Sequence, residues 1–455
     1  MTAREPADLD AAAEYHAALR VLTDRGRYGI RLGLGRIRAL LREIGDPQLA
    51  FRGALIGGTN GKGSVLALAA SALRAGGVRV GETPKPHLVS YRERLQIDGQ
   101  PVDPSTFARL VREILPAADR VARRQGPATE FELLTALILR WFAEQDVDVA
   151  LVEVGLGGRL DATHAWDGGV AVITNVALDH MEHLGTTVPA IAREKAAIIE
   201  RGDLAVTGAT GEGLAVIRRR ARRFGVPLAE VDPAPLLGWD RDGIEVQLPR
   251  LGRTRVGLRG RHQAANVGVA DALLDALAAA GIAAVPPDAR RRGYATARWP
   301  GRLELIQVGG RDVLLDGAHN PAGAAALATA LDDLRPFLTE PRQPLTLVVA
   351  SMADKDVDGV VLALAASGSL QGAGIITTQV DLSRALPAEA LAERWRSLVP
   401  AVRVESIPGV EAALERALRE APGAVIVAGS LYLVGEARRR LVDDPLLRDP
   451  EAPAP

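Results

Sequence analysis

The 455-residue chain contains no cysteine. Disulfides, zinc ribbons, iron–sulfur clusters and thiol nucleophiles are therefore excluded. No run of about 18 apolar residues occurs, so no segment is expected to cross a bilayer. The stretch 1–15 is polar and acidic without an apolar centre, unlike a signal peptide. Neither sign of charge is in excess: 55 Lys and Arg face 56 Asp and Glu, a formal charge of −1. A polyanion-binding surface built on net charge is not expected, though a local basic cleft stays open. These absences point to a cytoplasmic protein with neither nucleic acid nor membrane as partner.

Lysine is the other scarcity. Only four occur, Lys62, Lys85, Lys195 and Lys355, and the remaining 51 basic residues are arginine. Where any positive charge will do, this chain uses arginine. A lysine that persists marks a place where a planar guanidinium will not serve. Its ammonium is a compact charge, can lose its proton and can act as a nucleophile.

At roughly 100–200 residues per domain, the length predicts two or three domains. Apolar residues at 47% and charged residues at 24% are those of an ordinary globular chain. Amphipathic spacing predicts helices over 10–22 and 33–45. Short apolar runs at 52–57, 78–81, 149–154, 170–174 and 204–207 predict buried strands, with a helix over 64–75 closed by Gly76 and Gly77. An Ala-rich helix over 264–282 follows. From about residue 298 a new alternation of strands and helices begins, predicting a second doubly wound α/β domain over 298–447. The first domain is then 1–297, and the tail 448–455 is expected to be disordered.

The sharpest motif is Gly57-Gly58-Thr59-Asn60-Gly61-Lys62-Gly63-Ser64, between the first strand and its helix. A glycine-rich turn lets backbone N–H groups approach phosphate oxygens, and the helix N-terminus adds its positive dipole end. Lys62 would neutralise the outer phosphates, and the Ser64 hydroxyl could meet a metal or a phosphate. Ile56 and Gly63 break the general P-loop pattern, so this is a variant loop. Glu153-Val-Gly-Leu-Gly-Gly-Arg159-Leu160-Asp161-Ala-Thr163 follows a strand, where ligands bind in such sheets. A carboxylate there suits Mg²⁺, a hard cation that seeks oxygen. Asp179 and His180 follow another strand, and imidazole is a common metal ligand. Lys195 lies on a predicted helix in Arg193-Glu194-Lys195. In the second domain Asp316 and His319 end a strand in Asp316-Gly-Ala-His319-Asn-Pro321. Asp316 suits a ribose hydroxyl and His319 a phosphate or carboxylate. Asp354-Lys355-Asp356 occupies the equivalent place on a neighbouring strand. Three of the four lysines fall within such segments, and Lys85 lies in Thr83-Pro84-Lys85-Pro86-His87, so all four sit in candidate site segments.

Together these segments resemble the folylpolyglutamate synthase/dihydrofolate synthase family of the Mur ligase superfamily. The likeness covers nearly the whole chain. It adds Pro86-His-Leu-Val-Ser-Tyr-Arg-Glu-Arg94, His262-Gln-Ala-Ala-Asn266, Trp299-Pro-Gly-Arg302-Leu-Glu304 and Gly429-Ser-Leu-Tyr-Leu-Val-Gly435 to the motifs above. The resemblance implies a P-loop-type parallel-sheet ATPase domain followed by a smaller Rossmann-like α/β domain, with the active site in the cleft between them. It implies ATP-dependent amide formation through an acyl phosphate that L-glutamate attacks. The acceptor would be dihydropteroate or a reduced folate; a ligase joining an amino acid to a non-folate acceptor is the alternative. A monomer is the expected state.

The resemblance also implies residue roles. Gly61, Lys62, Gly63 and Ser64 would bind phosphates. Asn266, Arg302 and Asp316 would contact the nucleotide. Ser64, Glu153, His180 and a carbamylated Lys195 would hold one or two Mg²⁺ ions, with Lys62, His180 and Lys195 as the catalytic set. Thr129, Glu130, Phe131, Glu132, Arg159, Leu160, Asp161 and His319 would bind substrate. One departure stands out. In Thr83-Pro84-Lys85-Pro86-His87, Lys85 occupies a position where the family has a metal-binding serine. An ammonium there would oppose a close Mg²⁺.

Overall fold

The computed structural model describes residues 6–29 and 31–452. They form two compact units. The first runs to Asp232 and also includes Val269–Gly293 and the segment from Pro445; the second is Pro233–Gly268 with Tyr294–Asp444. The expected boundary near 297 falls close to Tyr294. Residues 233–268, assigned in sequence to the first domain, belong to the second unit instead.

The first unit is built on an eight-stranded sheet. Its strands are β1 (Gly53–Gly57), β2 (Val80–Thr83), β3 (Gln96–Ile97), β4 (Gln100–Pro101), β5 (Val149–Glu153), β6 (Gly169–Ile173), β7 (Leu204–Thr207) and β8 (Leu228–Glu230). Their order is β4-β3-β2-β5-β1-β6-β7-β8. The six from β2 to β8 in that order are parallel, while β3 and β4 add an antiparallel edge. β1 and β5 are buried at every position, as strands covered on both faces must be. In register, Ile56 lies beside Glu153 and Gly57 beside Ile173. The loops leaving β1, β5 and β6 therefore start side by side, at the carboxyl edge where such sheets bind ligands. Helices Gly35–Glu43, Pro104–Gln125 and Glu130–Glu144 pack together in the same unit.

The tail is not loose up to residue 450. Arg92 is buried, and its guanidinium donates to the Asp449 carboxylate and to the carbonyls of Val102, Leu446 and Arg448. His16 Nε2 lies 2.8 Å from the Pro450 carbonyl. A guanidinium that bonds two tail carbonyls and the Asp449 carboxylate holds the tail in place, which corrects the expected disorder for 448–450. Residues 453–455 of that expectation lie outside the described residues.

The second unit has a six-stranded sheet of β12 (Glu304–Val308), β13 (Arg311–Asp316), β14 (Thr346–Val349), β15 (Gly374–Thr377), β16 (Arg403–Ser406) and β17 (Val425–Ala428). Its order is β12-β13-β17-β14-β15-β16, parallel except for β12. A three-stranded antiparallel sheet, β9 (Leu236–Asp240), β10 (Gly243–Leu248) and β11 (Gly252–Val256), completes the unit. No helix among the described residues is long and apolar enough to cross a membrane.

Asp312 shows why residues 233–268 join this unit. It is fully buried on β13 and accepts from both terminal nitrogens of Arg241, in the β9–β10 turn, at 2.8 and 2.5 Å. Thr339 adds its amide at 2.6 Å and its hydroxyl at 2.9 Å. Burial alone would raise the Asp312 carboxyl; the Arg241 and Thr339 bonds outweigh it and hold the group well below its usual range. Asp312→Ala leaves these donors unmatched and is expected to cost about 3 kcal/mol, read as a lowered denaturant midpoint. Because the folded carboxyl titrates below the unfolded one, its stabilising share is complete above about pH 4 and fades below. The variant's stability should thus fall less steeply on acidification than the parent's. Equal slopes would contradict this role.

Candidate active site

The glycine-rich loop leaves β1 at Gly57 and enters the helix Lys62–Ala75 after Gly61. Gly58 has φ +144°, and a Cβ there would overlap the Thr174 hydroxyl, so only glycine fits. The loop is pinned from the strand beside it. Thr174 Oγ1 donates to the Asn60 carbonyl at 2.6 Å, the Thr59 amide to the Asn175 carbonyl at 3.0 Å, and the Asn60 amide to Asn175 Oδ1 at 2.9 Å. The loop is thus fixed in shape before any ligand arrives.

Two of the four lysines converge on this loop. Lys62 Nζ donates to the Gly58 and Thr59 carbonyls at 3.2 and 3.1 Å, and lies 3.9 Å from Glu153 Oε1. Lys195, on the helix Val188–Ala196, donates from Nζ to the same Gly58 carbonyl at 2.8 Å. Lys195 is 5% exposed. Burial pushes its ammonium down to about 7, and the neighbouring Lys62 charge pushes the same way, against Asp179 and Asp161. An amine that is neutral near physiological pH is a nucleophile as well as a cation.

Glu153 ends β5, buried, and its Oε2 accepts the Lys85 amide at 2.9 Å. Asp161 is buried and accepts from the amides of Leu156 and Thr163 at 2.8 and 3.0 Å and from the Thr163 hydroxyl at 2.6 Å. Phe131 lies close by: a Cβ on Gly155 would stand 2.9 Å from Phe131 Cζ and 3.0 Å from Asp161 Oδ2. An aromatic ring and a carboxylate therefore flank one glycine. The segment bearing Lys85 and His87 is shaped by Glu93, whose carboxylate accepts the amides of Leu88, Val89 and Ser90 at 3.1, 2.6 and 2.7 Å.

Other sequence candidates take different places. Thr129 and Glu132 form a buried capping box, and Glu132 also accepts from Arg36 at 3.1 Å. Their side chains shape the start of the helix rather than face outward. Glu130 accepts from the Tyr91 hydroxyl at 3.0 Å. Arg159 is exposed and paired with Glu194 at 2.9 Å, while the Leu160 carbonyl accepts the Gly33 amide. His180 is exposed, at φ +49°, with its amide on Asp179 Oδ1. Among the described residues no three His, Asp or Glu side chains converge as a metal ligand set. The donors that do suit Mg²⁺ are hard oxygens: the buried Glu153 carboxylate and the Ser64 hydroxyl in the first turn of the loop's helix.

In the second unit, buried Asp316 accepts the amides of Leu303 and Ala318 at 2.8 and 2.9 Å. Burial raises its carboxyl, and the Arg302 charge opposes that. Arg302 also lies against Gly317, where any Cβ would overlap its guanidinium. Asn266 donates to Gln263 Oε1 at 2.8 Å, and His319 Nδ1 lies 2.8 Å from the Gly317 carbonyl. Arg302 and Asp316 are thus brought together. Residues that sequence reasoning did not single out are Thr174, Asn175 and Glu93. For Glu93 a signal existed, since Ser90-x-x-Glu93 is a capping-box pattern.

Residues 56–274 match the Mur ligase middle domain, and residues 301–431 match the Mur ligase glutamate ligase domain. The chain is 35% identical over 454 residues to a dihydrofolate synthase/folylpolyglutamate synthase of Mycobacterium tuberculosis, covering 90% of each. It is 36% identical to a probable bifunctional folylpolyglutamate synthase/dihydropteroate synthase of Haloferax volcanii, covering 93% of this chain but 50% of that protein. It therefore spans about half the length of such bifunctional relatives. A crystal structure of M. tuberculosis folylpolyglutamate synthase complexed with ADP and AMPPCP matches with a TM-score of 0.84 and 33% identity, covering 95% of this chain and 99% of that one. A bifunctional enzyme of Yersinia pestis, complexed with AMPPNP and a Mn ion, matches with a TM-score of 0.79 and 28% identity over 95% of this chain and 98% of its own. The chain belongs to the folylpolyglutamate synthase/dihydrofolate synthase family of Mur ligases.

Proposed function

We propose that this chain is an ATP-dependent ligase that joins L-glutamate to a pterin- or folate-borne carboxylate. The carboxylate oxygen attacks the terminal phosphorus of ATP and ADP leaves. The glutamate amine then attacks the acyl carbon, phosphate leaves, and the amine gives up a proton. The observation that carries this reading is the convergence of Lys62 and Lys195 on the Gly58 carbonyl, with Glu153 3.9 Å from Lys62. Two anions must meet here, and such a cluster lowers their repulsion.

Gly61, Lys62, Gly63 and Ser64 bind the phosphates. Ser64 and Glu153 would hold a divalent ion, with His180 and a carbamylated Lys195 as further candidates. Such an ion, when bound, neutralises charge on the phosphates. Phe131 presents a ring face to the acyl substrate, and Asp161, its oxygens taken by Leu156 and Thr163, shapes the loop beside it. Thr129 and Glu132 support that surface from below. Asn266, Arg302 and Asp316 contact the nucleotide, and His319 a substrate carboxylate.

The test is incorporation of labelled glutamate with ATP, offering dihydropteroate and tetrahydrofolate separately. Glutamate-dependent phosphate release with one or both acceptors supports the reading; none with either overturns it. Asp316→Ala is expected to weaken ATP binding by about tenfold, the scale of one lost charge-assisted hydrogen bond. Isothermal titration with ATP checks this, and unchanged affinity would remove Asp316 from the nucleotide site.

A further inference from the structure

Lys85 is held by its backbone, through its amide on Glu153 Oε2 at 2.9 Å. Its charge is not held in the same way. Nζ is buried and has no hydrogen-bond partner among the described residues. It rests 4.3 Å from the centroid of the Phe131 ring. The charges that act on it are Asp161 and Glu153, which attract, and Arg94 and Lys62, which repel.

A buried ammonium with all three donors unused is costly unless something arrives to take them. A ring face offsets part of that cost but accepts no hydrogen bond. Neither nearby carboxylate is spare: Asp161 accepts from Leu156 and Thr163, and Glu153 accepts the Lys85 amide while standing 3.9 Å from Lys62. What suits the vacant donors is an oxyanion, and the glycine-rich loop beside Glu153 is built for one. The four-carbon stem can turn without moving the backbone, which Pro84 and Pro86 stiffen on either side. In a chain that otherwise uses arginine, a compact cation fits where a fork would collide.

We infer that Lys85 is a resident counter-cation for the terminal phosphate of the bound nucleoside triphosphate, its Nζ leaving the Phe131 ring to donate to a phosphate oxygen beside Glu153 and Lys62. The inference rests on the reading that the 57–64 loop holds a polyphosphate. Lys85 then supplies positive charge that would otherwise require a further divalent ion, and it lowers the number of ions bound with the nucleotide.

The experiment is calorimetric titration of the full chain with ATP in excess EDTA, without acceptor or glutamate. Lys85→Met should bind metal-free ATP at least about tenfold more weakly than the parent. Lys85→Gln, closer in polarity, guards against a folding failure of the Met variant, and thermal melts report folding of both. Electron paramagnetic resonance of Mn²⁺ should count one ion per bound nucleotide in the parent and an additional one in Lys85→Ser. Equal metal-free affinities in parent and variants, or an unchanged Mn²⁺ count, overturn the inference. Because no acceptor is present, failure of the ligase reading is seen separately, as absent glutamate incorporation. A parent that binds no ATP overturns both.

Discussion

Lys62→Ala should lower ATP-dependent phosphate release by about a thousandfold or more while the protein remains folded. A thousandfold is about 4 kcal/mol of lost transition-state stabilisation. The structural cost is far smaller. Lys62 Nζ bonds two carbonyls, Gly58 and Thr59, and faces Glu153 at 3.9 Å, a contact too long for a strong ion pair. Its side chain keeps 18% exposure, so water can reach the carbonyls it leaves. Alanine also suits a helix N-terminus that begins at this residue. The loop is also held by Thr174 and Asn175, whose bonds the variant keeps. A loss of about 1–2 kcal/mol is then the ceiling for stability, against the 5–15 kcal/mol typical of domains. Phosphate release and a thermal melt on the same preparation decide it. Turnover within tenfold of the parent in a folded variant would take Lys62 out of the phosphate site.

Much of the fold was legible because central parallel strands are short, apolar and bounded by glycine. The runs at 52–57, 149–154 and 170–174 became β1, β5 and β6 almost residue for residue. The antiparallel sheet of β9, β10 and β11 was not legible. Its strands carry charges such as Glu245 and Arg253, paired across neighbouring strands at 2.5 Å, and exposed residues such as Trp239. A half-solvated sheet of that kind leaves little apolar signal. Nor could sequence show that Arg241 reaches Asp312, 71 positions away, and so binds 233–268 to the second unit. The tail misled for the same reason: its composition reads as disorder, while the buried Arg92 that holds it is remote in sequence. At the candidate site, lysine scarcity was a signal that position in the chain could not supply. It marked Lys62, Lys85 and Lys195, and the structure places charge, burial or both at each. Thr129 and Glu132 form a capping box, which uses the same residue types as a binding motif, so sequence alone does not separate the two uses.

Lys195→Arg should be inactive although it keeps its positive charge, and Lys195→Ala should lose about a hundredfold but regain part of its rate with acetate or formate. Desolvation, aided by Lys62, brings the ammonium down to about 7. A lysine lowered in this way is charged below that value and neutral above it. The free amine can attack CO₂: a nitrogen–carbon bond forms as one carbon–oxygen π bond breaks, one proton leaves for water, and the neutral amine becomes a carbamate anion. That anion would stand by the Gly58 carbonyl, which now accepts from Nζ at 2.8 Å and would keep the carbamate N–H as its donor. Arginine cannot make this adduct, since its guanidinium does not deprotonate. Removing bicarbonate should thus slow the parent, and more at pH 6 than at pH 8, where the amine recaptures CO₂ more readily. Labelled bicarbonate followed by carbon magnetic resonance gives a readout independent of rate: one carbamate signal in the parent, none in either variant. An active arginine variant, or a parent indifferent to bicarbonate at both pH values, would leave Lys195 as a buried cation that steadies Gly58 and nothing more.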